Sequence, residues 1–210
     1  MKIYSWIEKN LPKNSTILEA GAADGTDTLN LSSRCPDGNI YAFEPCSRLY
    51  KKCKDRTSKI KNVKLFNKAL GTKNETVELN LLGNNNGFTA SSLLKPTNEL
   101  FAFHKKLSKH GTENVEKINL DNFLLSNKIK RINLAWLDLQ GYEPFIFNNC
   151  NYFRSICEFI YTEVSLINTY KNAITYPEFK SILEKNNYEL ILEDIYWEDM
   201  GNVLFKNKNI

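Results

Sequence analysis

The segment Ile17-Leu18-Glu19-Ala20-Gly21-Ala22-Ala23-Asp24-Gly25 constrains this chain more than any other. A short apolar strand runs into two glycines four residues apart, and the pattern predicts a helix starting at Thr26. Glycine lets backbone approach a ligand closely and adopt positive φ. The helix start presents unpaired N–H groups. An acid, Glu44, ends the next predicted strand and precedes Pro45, close to the spacing of about twenty residues expected of a ribose-binding acid. Turn, helix start and acid in that order are the layout of a nucleoside-cofactor site on an open α/β sheet.

The rest of the chain fits such a sheet, because β-like runs alternate with helical stretches. Strands are expected at Thr16–Glu19, Ile40–Phe43, Val63–Phe66, Ile132–Leu137 and Cys157–Val164. Helices are expected at Thr26–Arg34, Ser47–Thr57, Leu120–Leu125 with Asp121 as its cap, from Gly141 to about Cys150, and at Tyr176–Asn186. The last two runs, Tyr188–Asp194 and Asn202–Lys206, have no helix between them. They imply a hairpin, hence one antiparallel strand on an otherwise parallel sheet.

Between about residues 72 and 120 the alternation breaks. Thr76–Leu81 alternates like a half-exposed strand, Gly83-Asn84-Asn85-Asn86-Gly87 is irregular, residues 95–112 read as a loop with a short helix, and Val115–Leu120 is again β-like. We read this stretch as an insertion, and long excursions on a rigid scaffold are where substrate sites tend to lie. With no linker or repeat, residues 1–210 form a single domain that starts almost directly on its first strand. It is equally compatible with being one domain of a longer protein.

Composition narrows the setting. A hydrophobic fraction of 42%, with twelve Phe, ten Tyr and three Trp, is enough for a sizeable core. No apolar run approaches a membrane span, and the N-terminus lacks the apolar stretch of a signal peptide. Five cysteines, at 35, 46, 53, 150 and 157, are an odd number without CxxC spacing. They argue against disulfides and zinc and for a reducing, cytoplasmic setting. A basic stretch runs from Arg48 to Lys64 in a chain of net charge +4. A single aromatic, Tyr50, lies within it to stack on bases, so a solvated helix face is the better reading and a nucleic-acid partner is not expected.

The glycines discriminate among cofactors. Gly21-x-x-x-Gly25 matches neither G-x-G-x-x-G nor G-x-x-x-x-G-K-[ST], so a phosphate cradle is not supported. S-adenosylmethionine has no phosphate. It needs close backbone approach for its methionine part, which Gly21 and Gly25 offer, and an acid for its ribose hydroxyls, which Glu44 offers. The plain alternative is a tight turn and an exposed loop acid.

On these and further ordered segments the chain resembles the FkbM-type S-adenosylmethionine-dependent methyltransferases. The segments are residues 17–25, Tyr41-Ala42-Phe43-Glu44-Pro45, Asn67-Lys68-Ala69-Leu70-Gly71, Ala90-Ser91-Ser92-Leu93, Asn119-Leu120-Asp121-Asn122-Phe123 and Leu137-Asp138-Leu139-Gln140-Gly141-Tyr142-Glu143. Two positions depart from the family pattern. Glu19 stands where Asp is usual and keeps the charge, and Gln140 stands where an acid is usual and loses it. The resemblance implies a Rossmann-like class I methyltransferase fold, a mostly parallel seven-stranded sheet with one antiparallel strand and helices on both faces. It also implies O-methylation, often of a sugar or glycan hydroxyl, with a deoxysugar such as rhamnose as one option. The cofactor-contacting set then comprises Glu19, Gly21, Ala22, Asp24, Gly25, Thr26, Glu44, Pro45, Ser91 and Ser92.

Methyl transfer from a sulfonium is an in-line displacement, and a sugar hydroxyl needs help to lose its proton. Asp138, at the carboxyl end of a central strand, is the leading candidate for a base, an ammonium partner or a metal ligand; its plainer role is to cap the next helix. Glu163 ends the neighbouring strand and would complete an oxygen-rich cation site with Asp138, although two carboxylates are few ligands and a metal is not favoured. Glu143 suits a structural role at its helix start. His104 is a third catalytic candidate, reaching over the crevice from the insertion, although its lysine neighbours suggest an exposed surface. Tyr196 and Trp197 are candidates for stacking on a sugar ring, or else for the core or a homodimer contact. The rivals to a glycan methyltransferase are an RNA or cap methyltransferase and a catalytically inactive cofactor-binding domain.

Overall fold

The computed structural model of the chain describes residues 2–84, 87–196 and 199–210. Asn85 and Asn86 of the glycine-asparagine stretch, and the stacking candidate Trp197, lie outside the described residues. The chain runs α1 (Lys2–Asn10), β1 (Thr16–Ala20), α2 (Thr26–Arg34), β2 (Asn39–Phe43), α3 (Ser47–Thr57), β3 (Val63–Phe66), β4 (Ala69–Gly71), β5 (Glu75–Gly83) and α4 (Asn98–Phe103). It continues with β6 (Ser108–Asn119), α5 (Leu120–Ser126), β7 (Ile132–Leu137), α6 (Glu143–Asn149), α7 (Asn151–Ile156), β8 (Cys157–Ser165), α8 (Tyr176–Lys185), β9 (Tyr188–Ile195) and β10 (Met200–Asn207).

Seven strands form one sheet in the order β3-β2-β1-β7-β8-β10-β9. All pairings are parallel except those of β10, which is antiparallel to both β8 and β9. Both faces are covered, so the central strands read as near-continuous apolar runs. Side-chain alternation splits β1 between the two cores. Leu18 and Ala20 join the cluster that includes Leu124, Phe147, Phe153 and Phe179 from α5 to α8, while Ile17 faces Ile3, Ile7, Leu31 and Cys53 of α1 to α3. The order of the strands reverses at β1, and that switch point places the carboxyl ends of β1, β2 and β7 around one crevice.

The excursion after β3 holds a second, three-stranded sheet in the order β4-β6-β5. Leu79 of β5 and Val115 of β6 pack on Cys46 and Leu49 at the start of α3. Strand β4 has only three residues, too few to show a period, and β6 begins at Ser108, well before the apolar run at Val115. The early part of β6 is exposed and polar, and is held by its ladder with β5 rather than by burial.

Two local expectations change. The chain does not start on its first strand, since α1 precedes it and buries Ile3, Tyr4, Ile7 and Leu11. Asp121 does not cap α5. Asn119 does, accepting from the Asn122 backbone N–H at 2.8 Å, while Asp121 accepts from the N–H groups of Tyr152 and Phe153 at the start of α7. All five cysteines are free and buried, and no helix among the described residues is long and apolar enough to cross a membrane.

Candidate active site

At the carboxyl end of β1 the backbone N–H groups of Gly21 and Ala22 both donate to Phe43 O of β2, and the Asp138 N–H donates to Ala20 O. These bonds fold the glycine turn tightly against its neighbours. Gly21 has φ +89, and a Cβ there would lie 2.0 Å from the Asp138 carbonyl oxygen. Gly25 has φ +84, and its Cβ would meet Cys53 Sγ of α3 at 2.8 Å. Gly21 therefore lets the chain after β7 approach the turn, whereas Gly25 lets α2 and α3 approach each other.

Beside the turn lies a cavity of about 240 Å³, with Gly21, Glu44, Pro45, Ser91, Ser92 and Asp138 in its wall. A wider cavity of about 590 Å³ adjoins it on the insertion side and is lined by Ala90, Phe103, His104, Asp138, Gln140 and Glu163. Among the described residues Asp138 is the one acid that lines both.

Other expected cofactor contacts fall outside the first cavity wall. Asp24 accepts from the Thr26 N–H and pairs with Arg56 at 2.8 Å, so Asp24 and Thr26 secure the α2 start. Ala22 is buried against the α1–α3 core. Glu19 is fully buried on the same face as Ile17, and neither carboxyl oxygen has a hydrogen-bond partner. Burial pushes it up to about 8, so the Glu19 side chain is predominantly neutral at pH 7 rather than the retained charge that the sequence suggested.

The remaining wall residues are tied into the scaffold. Glu44 is buried, accepting from the Ala23 N–H through Oε2 and the Cys46 N–H through Oε1, each at 2.8 Å. It thus staples the glycine turn to the start of α3, with lone pairs left on both oxygens. Burial raises it to about 8 against the pull of those donors. Ser91 Oγ donates to Phe88 O, and Ser92 Oγ donates to Gln140 O at 2.8 Å, so both hydroxyls shape the wall.

Sequence reasoning missed Asp27, which also lines the first cavity and accepts a short hydrogen bond from the Tyr4 hydroxyl of α1. The signal available was an acid in the first turn of the helix after the glycines.

Asp138 does not cap α6, whose N-cap residue is Tyr142 and which has no side-chain cap bond; Glu143 in its first turn reaches back instead, its Oε1 accepting from the Leu139 N–H. Enclosure raises Asp138 to about 6 while Gln140 draws it down. Glu163 is raised well above the carboxylate range by burial and by the Asp138 charge. Between them lies Gln140, whose Nε2 donates to Asp138 Oδ1 at 2.6 Å and to Glu163 Oε2 at 2.8 Å. His104 is not an isolated surface histidine, since its Nε2 is 2.8 Å from Asp199 Oδ2, where Asp199 is buried just before β10. Tyr196 is half exposed and lines neither cavity.

No group of three or more His, Cys, Asp or Glu side chains among the described residues is placed to hold a metal ion. Asp138 and Glu163 share an amide donor instead, which does not fit the six or more oxygen ligands of a hard cation.

The buried acids make a stability prediction. Glu19, Glu44 and Glu143 are each raised to about 8 from an unfolded value near ~4.3. Between those limits the folded state binds more protons, so stability is full below the unfolded pKa and is lost as pH rises through about 8. Each group removes up to about 1.4 kcal/mol per pH unit in that window. Thermal melts should show Tm falling from about pH 5 to about pH 8, with a shallower fall in Glu19→Gln. A flat or rising profile would contradict this account of the three acids.

A doubly wound sheet with a closing antiparallel hairpin, and a glycine turn facing an acid across its switch point, defines a Rossmann-like methyltransferase fold. Solved structures agree. An rRNA methylase from Streptococcus thermophilus matches 98% of this chain and 94% of its own at TM-score 0.54 and 14% identity. Aeropyrum pernix fibrillarin, in complex with natively bound S-adenosyl-L-methionine, matches 97% and 73% at TM-score 0.54 and 11% identity. The chain belongs to the FkbM methyltransferase family, since residues 19–190 match the Methyltransferase FkbM domain. A curated relative, 2-O-methyltransferase NoeI of Sinorhizobium fredii (strain NBRC 101917 / NGR234), is 25% identical over all of this chain and 85% of its own length.

Proposed function

We propose that this methyltransferase transfers a methyl group from S-adenosylmethionine to a hydroxyl of a sugar or glycan. The carrying observation is Asp138, the acid common to both cavity walls. The first cavity fits the cofactor on a physical ground, since its wall sets bare glycine backbone beside two acids, Glu44 and Asp27. Glu44 would accept from the ribose hydroxyls with its free lone pairs, and Asp27 would face the ammonium of the methionine part. When bound, the cofactor supplies an electrophilic methyl on a sulfonium.

The chain's residues supply orientation and proton acceptance. Asp138, ionised above about pH 6, takes the acceptor hydroxyl proton. Glu163, whose charged form is disfavoured by burial and by the Asp138 charge, stands beside Asp138 in the second cavity's wall. His104, held by Asp199, forms part of the second cavity's wall. Carboxyl, amide and imidazole groups suit vicinal hydroxyls, and the 2-O-methyltransferase relative is consistent with an oxygen acceptor.

S-adenosylhomocysteine at about a hundredfold over its Kd should raise Tm by about 5–10 °C. The cofactor assignment falls if it produces no shift. Methyl transfer to a panel of glycans, deoxysugars included, then tests the acceptor, and transfer to RNA alone would overturn the sugar reading. Glu44→Ala removes the buried carboxyl that would hydrogen-bond the ribose hydroxyls and leaves them unpaired, so the Kd for S-adenosylhomocysteine should rise by about tenfold to a hundredfold. An unchanged Kd by calorimetry would remove Glu44 from the site.

A further inference from the structure

We infer that Gln140 is a positioning residue that clamps the Asp138 and Glu163 carboxylates into a cation-free pair where the two cavities meet, so that methyl transfer in this chain needs no divalent cation. The inference rests on the methyltransferase reading above and specifies how its acceptor site is organised.

The amide group accounts for its surroundings. Both Nε2 hydrogens are used, one toward Asp138 Oδ1 at 2.6 Å and one toward Glu163 Oε2 at 2.8 Å. Oε1 lies 3.0 Å from the hydroxyl of buried Tyr170, whose single hydrogen it shares with Ala90 O at 2.7 Å. The opposite amide orientation would aim Oε1 at two carboxyl groups and gather three acceptors in one place. The neighbours therefore select the orientation in which the nitrogen bridges.

The backbone is held as firmly. Gln140 has φ 53, left-handed for a residue with a side chain, and its carbonyl oxygen accepts from Ser92 Oγ at 2.8 Å. Side chain and main chain are thus tied to β7, β8 and the insertion at once.

Two enclosed carboxyl groups that face each other need a positive or donating partner. A cation bridging these carboxylates would compete with Nε2 for the same oxygens. The amide provides that partner without a third anionic ligand, leaving Asp138 able to act on an acceptor hydroxyl.

The isosteric Gln140→Glu substitution exchanges the donor for a third carboxylate and tests the clamp. Initial rates of the unaltered enzyme should not respond to EDTA or to added Mn²⁺, and calorimetry should show no Mn²⁺ binding to it. Gln140→Glu should bind Mn²⁺. Its kcat in EDTA should fall by about tenfold or more, with KM for S-adenosylmethionine within about twofold of normal, and Mn²⁺ should restore kcat. Gln140→Leu, which adds no charge, should lose kcat similarly and gain no response to Mn²⁺. Tm and S-adenosylhomocysteine affinity establish that each variant is folded. The proposal is overturned if EDTA abolishes activity of the unaltered enzyme and Mn²⁺ restores it, if that enzyme binds Mn²⁺ through Asp138, or if both variants keep full kcat in EDTA. Absence of S-adenosylhomocysteine binding in every protein would instead overturn the parent reading, and the Mn²⁺ calorimetry would still decide the clamp.

Discussion

Asp138→Asn is expected to lower the turnover of methyl transfer by about 10²–10⁴-fold, the contribution of a positioned general base. Binding of S-adenosylhomocysteine should change little, because the Asp138 carboxyl forms one part of a wall that Gly21, Glu44 and Pro45 also build. The pH profile gives a second reading. With Asp138 raised to about 6, the rate of the unaltered enzyme should climb as pH passes that value, when the carboxyl ionises. The Asn variant should lose this limb. Equal turnover in both proteins would show that Asp138 is structural and that positioning alone drives the reaction.

Gly21→Ala should damage both stability and cofactor binding. A methyl group at Gly21 collides with the Asp138 backbone, with its carbonyl oxygen at 2.0 Å and carbon at 3.0 Å, and backbone has no rotamer by which to withdraw. Relief requires β1 and β7 to separate at the site. Strain at positive φ and overpacking together should cost about 3 kcal/mol or more, lowering Tm by about 6–12 °C in a chain of this size. Gly111→Ala is the control. Gly111 also has positive φ, +95, but a Cβ there meets nothing within 4 Å. It carries the conformational cost alone, so its Tm should fall much less and cofactor affinity should be retained. Similar losses in the two variants would assign the whole Gly21 effect to φ and not to the close approach of β7.

The elements most legible in the sequence were those with punctuation. Strand β7 and helices α2 and α3 match their expected bounds, and the hairpin of β9 and β10 follows from two β-like runs without a helix between them. The small sheet was less legible because most of β6 is exposed and polar, so pairing with β5 holds it and no hydrophobic period marks it. Helix α1 did carry a signal, with Ile3, Tyr4, Ile7 and Leu11 falling on one buried face. At the site, the sequence indicated a glycine turn and two strand-end acids, but not how they are held. The carboxyls of Asp138 and Glu163 meet through Gln140, and His104 meets Asp199 across ninety-five positions. Such contacts depend on the order of strands in the sheet, which local patterning does not encode. Glu19 looked like a retained charge for a similar reason, since its enclosure is created by α1 and α2 packing over β1.

The contact between Tyr4 and Asp27 makes the first helix part of the foundations of the first cavity. Tyr4 stacks on Trp136 of β7 at a centroid distance of 5.7 Å and lies under the Arg34 guanidinium, and from there its hydroxyl reaches an acid in that cavity's wall. A substitution on α1 that displaces Tyr4 is therefore an alteration of the first cavity's wall, and so of the proposed methyl-donor pocket.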